Sequence, residues 1–124
     1  HNKILRNRDE IVVVEKQLTE DAEIVVFTYG SPARSASSAI RQARLEGLRV
    51  GMLRAQTIWP FPDKELQDLS QKVRAIVVPE LNMGQMVLEV ERVVRGRTGV
   101  FGINRYDGEP ITPKEILTKI KELI

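Results

Sequence analysis

The sequence predicts an α/β protein of three layers, in which helices cover both faces of a mostly parallel β-sheet. Short apolar, β-rich runs alternate with segments whose apolar residues recur at helical spacing, as is typical of parallel sheets with crossover helices. Two of these runs end at a proline followed by polar or aromatic residues, a pattern typical of the carboxyl edge of such a sheet. With 124 residues, the chain fits one domain around a single hydrophobic core.

Four strands and four helices are predicted in the order β-α-β-α-β-α-β-α. The strands are expected at 23–29, 50–53, 75–78 and 100–103. Gly47 and Gly96 are expected to end the first and third helices. The last helix has the clearest start, because Thr112 can cap it, Pro113 suits its first position and Glu115 completes a capping box.

Residues 1–21 fit this alternation poorly. We expect a linker here, with an extended edge segment at 11–14, and the α/β domain itself at 22–124. Because linkers join domains, we expect this sequence to be a fragment of a longer subunit.

Composition excludes several kinds of chemistry. The sequence has no cysteine, which rules out disulfides, thiolate catalysis and cysteine-ligated zinc or iron–sulfur clusters on these residues. The one histidine, His1, stands at the terminus, so Ser-His and His-metal constellations are not expected. No apolar stretch approaches the roughly 20 residues that cross a bilayer, and residues 2–10 lack the apolar core of a signal peptide. We therefore expect a cytoplasmic setting and no membrane partner.

Charge is nearly balanced, at +2, but unevenly distributed. Between Arg92 and Arg105 there are four arginines and no acid. Solvated helix faces and interface ion pairs are the preferred interpretation, because the total charge is close to zero. Nucleic-acid binding ranks last among the alternatives, since Phe101 is the only aromatic residue in that stretch.

A polar cluster follows the third predicted strand. Glu80, Asn82 and Gln85 lie close together there, and a buried carboxylate at such an edge can serve proton transfer. The alternative is structural: Asn82 caps the next helix, and Glu80 contacts an arginine or another subunit. No second acid or base stands near Glu80 in the sequence, so no catalytic residue is assigned.

Two further segments are candidate binding sites. Gly30 and Ser31 stand at the first strand-to-helix turn, where backbone N–H groups, with Arg34 nearby, can meet a phosphate. Helix capping explains the same residues, and neither dinucleotide-binding nor phosphate-loop glycine motifs are present. Trp59 and Phe61, between prolines, are candidates for a partner interface, with packing onto the domain's own core as the alternative.

Four separated segments, at 22–31, 57–62, 77–86 and 103–113, resemble the carboxy-terminal domain of the alpha subunit of 2-oxoacid:ferredoxin oxidoreductases. The resemblance covers most of the chain, from Ile11 to the end, and the domain is of the transketolase carboxy-terminal type. Leu81 departs from the family pattern, which has a more polar residue there, and this weakens a small-ligand role for the segment.

The resemblance implies a function for the parent enzyme. Such enzymes oxidatively decarboxylate a 2-oxoacid to an acyl-coenzyme A and pass electrons through iron–sulfur clusters to ferredoxin. Thiamine diphosphate and magnesium bind between other domains, so the resemblance implies a structural role here, with the rest of the alpha subunit and the other subunits as partners. Which 2-oxoacid is used stays open among pyruvate, 2-oxoglutarate and branched-chain 2-oxoacids.

A second hypothesis is a stand-alone binding module. It captures a nucleotide or coenzyme A phosphate on Gly30 and Ser31, helped by Arg34 or Arg54. It differs from the first hypothesis in requiring measurable phosphate affinity.

Overall fold

A computed structural model describes residues 2–6, 13–29, 32–55, 62–80, 85–104 and 111–124. The strands in these ranges are β1 (Asn2–Arg6), β2 (Val13–Gln17), β3 (Ile24–Tyr29), β4 (Val50–Ala55), β5 (Ala75–Glu80) and β6 (Gly99–Asn104). The helices are α1 (Pro32–Leu45), α2 (Asp63–Ser70), α3 (Gln85–Val94) and α4 (Pro113–Glu122). All the strands belong to one sheet, in the order β1-β2-β4-β3-β5-β6.

The four predicted strands and four predicted helices are confirmed. Strands β4, β3, β5 and β6 are parallel, and each is followed along the chain by a helix. The chain leaves β3 for β4 on one side and later returns to β5 on the other. The topological switch point of the sheet therefore lies between β3 and β5.

Alternating side chains of the central strands feed two separate cores. Phe27 points to the face covered by α2 and α3, where Leu66 and Val90 are buried. Val26 points to the face covered by α1 and α4, where Ile40 and Ile116 are buried. A strand buried on both faces reads as a continuous apolar run, which is why β3 was visible in the sequence.

The helix ends follow the local signals. Gly47 and Gly96 have φ angles of +85° and +77°, the left-handed conformation that glycine adopts without strain. At the start of α4, the Thr112 hydroxyl accepts from the Glu115 N–H at 3.2 Å, and the Glu115 carboxylate accepts from the Thr112 N–H at 3.2 Å. The predicted capping box is thus present.

The segment before residue 22, expected as a linker with an edge segment, contributes two strands to the sheet. Strand β2 pairs antiparallel with both β1 and β4. Of the extended segment expected at 11–14, residues 13 and 14 begin β2, while 11 and 12 lie outside the described residues. Its polar residues Glu15, Lys16 and Gln17 hid the strand, because ladder hydrogen bonds need no apolar pattern.

The turn after β2 is tied to the parallel sheet by Arg44. Its guanidinium donates to the Asp21 carboxylate at 2.7 and 3.0 Å and to the carbonyls of Leu18 and Val50 at 2.8 and 3.0 Å. Gly51 lets the turn come this close, since a Cβ there would lie 2.5 Å from the Leu18 carbonyl oxygen. Arg44 and Gly51 therefore allow the turn after β2 to pack against the amino ends of the parallel strands.

Candidate functional site

The carboxyl edge of the sheet divides at the switch point. The ladder between β3 and β5 runs through the pair Val26 and Val77. Beyond it, β3 continues beside β4 as far as Tyr29, and β5 continues beside β6 as far as Glu80. Pro79 lies in the last part of β5 and has no N–H to donate to a ladder. Glu80, the first residue of the predicted polar cluster, thus stands where the two central strands part.

Glu80 caps helix α3. Its side chain is buried, and its two carboxylate oxygens accept from the backbone N–H groups of Met86 and Val87 at 3.0 and 3.1 Å. These N–H groups belong to the first turn of the helix, where no intrahelical acceptor exists and negative charge is favourable. In the described part of the chain, the side-chain hydrogen bonds of Glu80 are made with a helix end, which is a structural contact. Its expected contact with an arginine or another subunit stays a prediction, as does its use in proton transfer.

A row of polar residues crosses the other face of the same edge. Glu15 is directly opposite Arg54, and Arg54 is directly opposite Thr28, on the neighbouring strands β2, β4 and β3. Thr28 is two residues after Val26 on β3, so it points to the same face, which α1 and α4 cover. Along the chain, two residues separate the end of β3 from the start of α1.

Arg54 and Thr28 lack close side-chain hydrogen-bond partners within the described residues. A guanidinium nitrogen of Arg54 is 3.7 Å from a carboxylate oxygen of Glu15, longer than a hydrogen bond, and the Arg54 side chain is 43% exposed. Thr28 is 1% exposed, and its hydroxyl oxygen has no hydrogen-bond partner within the described part of the chain. Sequence reasoning named Arg54 but missed Thr28, whose one signal was a hydroxyl inside an apolar strand.

A second buried polar atom without a partner lies on the opposite face. Glu65, in the first turn of α2, is 7% exposed, and one of its carboxylate oxygens has no hydrogen-bond partner among the described residues. Sequence analysis did not single it out, because an acid in the first turn of a helix is ordinary.

The remaining candidates are only partly placed. Arg34 is exposed in the first turn of α1, and Gln85 is the first residue of α3. The other candidates, Gly30, Ser31, Trp59, Phe61 and Asn82, lie outside the described residues. Their proposed phosphate and interface roles stay predictions.

Two kinds of feature are absent from the described residues. Within those ranges, histidine, aspartate and glutamate side chains form no group of three or more that could hold a metal ion. Among the described helices, none is long and apolar enough to cross a membrane.

Sequence comparison relates the chain to known proteins. The family described as pyruvate:ferredoxin oxidoreductase core domain II matches residues 22–116. The 2-oxoglutarate synthase subunit KorA of Methanothermobacter marburgensis is 44% identical over 119 residues, which cover 96% of this chain and 32% of KorA. The chain therefore spans about a third of the length of this relative.

Two solved structures share the fold. A 2-oxoglutarate:ferredoxin oxidoreductase from Magnetococcus marinus matches 88% of this chain and 19% of its own, with a TM-score of 0.73 and 24% identity. A split gene transketolase matches 86% of this chain and 39% of its own, with a TM-score of 0.74 and 18% identity. At these identities the likeness concerns the fold, and it confirms the predicted transketolase-like α/β architecture.

Proposed function

Because this chain belongs to the family of pyruvate:ferredoxin oxidoreductase core domain II, as the four resembling segments predicted, we propose that it is a structural domain of a larger alpha-type subunit. The complete enzyme is a thiamine-diphosphate-dependent 2-oxoacid:ferredoxin oxidoreductase. It converts a 2-oxoacid and coenzyme A into an acyl-coenzyme A and carbon dioxide and passes two electrons to ferredoxin.

The capping contact of Glu80 is the observation that carries the structural role. This carboxylate is the best acid–base candidate in the sequence, and both of its oxygens are occupied by backbone N–H groups of α3. The residue therefore holds a strand end to a helix start. Such a contact stabilises the edge of the domain and supplies no free acid or base.

We propose 2-oxoglutarate as the substrate of the complete enzyme. The support is the 44% identity to a subunit named 2-oxoglutarate synthase, over nearly the whole of this chain. The domain itself contributes to substrate choice only through assembly, because substrate contacts are assigned to the other two-thirds of the subunit. Pyruvate and branched-chain 2-oxoacids are the competing substrates.

Cofactors are assigned to other parts of the complex. Iron–sulfur clusters need cysteine thiolates, and this sequence has none, so the ligands belong to other residues of the assembly. Thiamine diphosphate and magnesium are likewise assigned to the other domains. The partners of this chain are the rest of its subunit and the other subunits of the enzyme. Ferredoxin is reached through that complex, in the cytoplasm. Nucleic acid and membrane are not among the proposed partners.

The test is anaerobic purification of the native protein from its source, followed by mass analysis and assay. We expect this sequence inside a longer polypeptide, together with subunits that carry iron–sulfur clusters and thiamine diphosphate. Coenzyme-A-dependent reduction of ferredoxin should be fastest with 2-oxoglutarate. A lone species of about the 14.1 kDa of this chain, without clusters or activity, would overturn the proposal. Faster reaction with pyruvate or 2-oxoisovalerate would overturn the substrate assignment alone.

A further inference from the structure

We propose that the Thr28 hydroxyl, close in the chain to the start of α1, and the Arg54 guanidinium form a binding site for the phosphate group of a small ligand. This site lies on the α1/α4 face of the carboxyl edge, opposite to the face on which Glu80 caps α3. The inference stands on residues that the proposed function does not use, so either can fail without the other.

The unpartnered hydroxyl of Thr28 is the first observation. Enclosing a hydroxyl without a hydrogen bond is unfavourable, and native proteins usually satisfy such groups with protein, water or a ligand. Thr28 is 1% exposed, and its oxygen has no partner in the described part of the chain. It sits one residue before the end of β3, where the ladder to β5 has already ended. An oxyanion at this point satisfies the hydroxyl.

Arg54 provides the matching charge. It is the direct cross-strand neighbour of Thr28, and neighbouring strands lie about 4.8 Å apart, so both side chains leave the same face side by side. The guanidinium carries five N–H donors, and its contact with Glu15, at 3.7 Å, leaves them available. Arginine beside a hydroxyl is a pairing suited to phosphate oxygens.

The start of α1 adds a favourable field. The helix has 14 residues, begins at Pro32, and packs on the face to which Thr28 points, through Ala36 and Ile40. Only two residues separate it from the end of β3. The positive end of α1 is therefore only a few residues along the chain from Thr28, and anions are stabilised at such ends.

Glu15 is the group that opposes an anion here. Its carboxylate is the cross-strand neighbour of Arg54 on the other side and competes for the guanidinium. Removing the negative charge of Glu15 should therefore strengthen phosphate binding. If the row had only a structural role, the same change would have no effect on phosphate binding.

The experiment titrates inorganic phosphate and pyrophosphate into the native protein that contains this chain, as wild type and variants, by calorimetry. Thr28→Val and Arg54→Gln should each weaken pyrophosphate affinity by about tenfold or more, since hydrogen bonds to charged groups are strong. Glu15→Gln should tighten it. The matched control, Arg41→Gln, removes the same charge from an exposed position of α1 and should leave the affinity unchanged. ADP and coenzyme A are then compared to identify the source of the phosphate.

Equal affinity of wild type and Thr28→Val overturns the site, even where Arg54→Gln weakens binding, because only surface attraction then remains. A thermal readout guards against a folding defect. At the same pyrophosphate concentration, the melting temperature should rise clearly for wild type and by less for Thr28→Val. A Thr28→Val protein that melts higher than wild type and responds equally to pyrophosphate shows an unsatisfied hydroxyl and no ligand site.

Discussion

At the scale of single residues, charged side chains secure the ends of strands and helices. Glu80 receives two N–H groups of α3 at one edge of the sheet, and Arg44 reaches a carboxylate and two carbonyls at the other. Both side chains satisfy backbone groups that regular structure leaves open. Their partners come from different elements, so each residue holds two elements together.

Replacing Glu80 with glutamine tests the helix cap. The amide keeps one acceptor oxygen, loses the charge and places an NH₂ group against a backbone donor. We expect Glu80→Gln to lower the free energy of unfolding by about 1–3 kcal/mol. Glu91→Gln, at an exposed position of the same helix, is the control and should change it little. Chemical denaturation measures both, and equal effects of the two variants would contradict the capping role.

The Asp21–Arg44 pair gives a pH dependence. The hydrogen bond from Arg44 lowers the pKa of Asp21 below its usual value. A carboxyl group with a depressed folded-state pKa contributes stability above its unfolded pKa of about 3.9 and loses it as pH falls through the folded value. The excess stability of wild type over Asp21→Asn should therefore be complete near neutral pH and shrink below about pH 4.

Melting curves of the two proteins between neutral and acidic pH measure this difference. Glu20→Gln, which replaces a neighbouring exposed acid, is the control. It should melt like wild type at every pH in this range. A wild-type advantage that stays constant through the acid range would show that Arg44 does not depress the pKa of Asp21.

At the scale of elements, two glycines in the strands leave room for close neighbours. At Gly51 of β4, a Cβ would lie 2.5 Å from a backbone oxygen of Leu18. At Gly99 of β6, a Cβ would lie 2.7 Å from the ring of Phe101, which is 36% exposed. The backbone of the turn cannot move without disturbing β2, whereas a partly exposed ring can rotate away.

Alanine at these two glycines should therefore have unequal effects. We expect Gly51→Ala to lower the free energy of unfolding by about 1–3 kcal/mol, as overpacking does, and Gly99→Ala to lower it by less. Denaturant titration of both variants measures the difference. A larger loss for Gly99→Ala would mean that the turn after β2 yields more easily than the aromatic ring.

At the scale of the whole molecule, the sheet is most protected at its centre. Strand β3 has parallel neighbours on both sides and apolar side chains buried on both faces. Strand β1 stands at the end of the strand order, with β2 as its paired neighbour. Local opening is expected to spread inward from such ends.

Hydrogen exchange of the native protein tests this gradient. The amides of residues 24–26 should exchange slowest, at the rate of global opening, and those of β1 much faster. Mass spectrometry of peptides from the two regions compares them directly. Equal protection of β1 and β3 would show that the hairpin is an integral part of the cooperative core.

Much of this architecture could be predicted locally. The strands β3 to β6 are apolar runs, α4 carries its own capping box, and Gly47 and Gly96 mark helix ends, because each signal lies within a few residues of the element it defines. The candidate site was harder to predict from the sequence. The two contacts of Glu80 with the first turn of α3 were not predicted, because they join a strand end to a helix six and seven residues further along the chain. The cap expected from Asn82 lies outside the described residues and stays a prediction.

The sequence by itself determined the fold class, the order of the parallel strands and helices along the chain, and the family, because these depend on local pattern and composition. Only the tertiary structure decided that β1 and β2 join the sheet and that β3 and β5 part at the switch point. It also decided that Thr28 stands beside Arg54, with no hydrogen-bond partner for its hydroxyl in the described ranges. These features join residues far apart in the chain. Backbone pairing and enclosure create them, and neither leaves a periodic signal in the sequence.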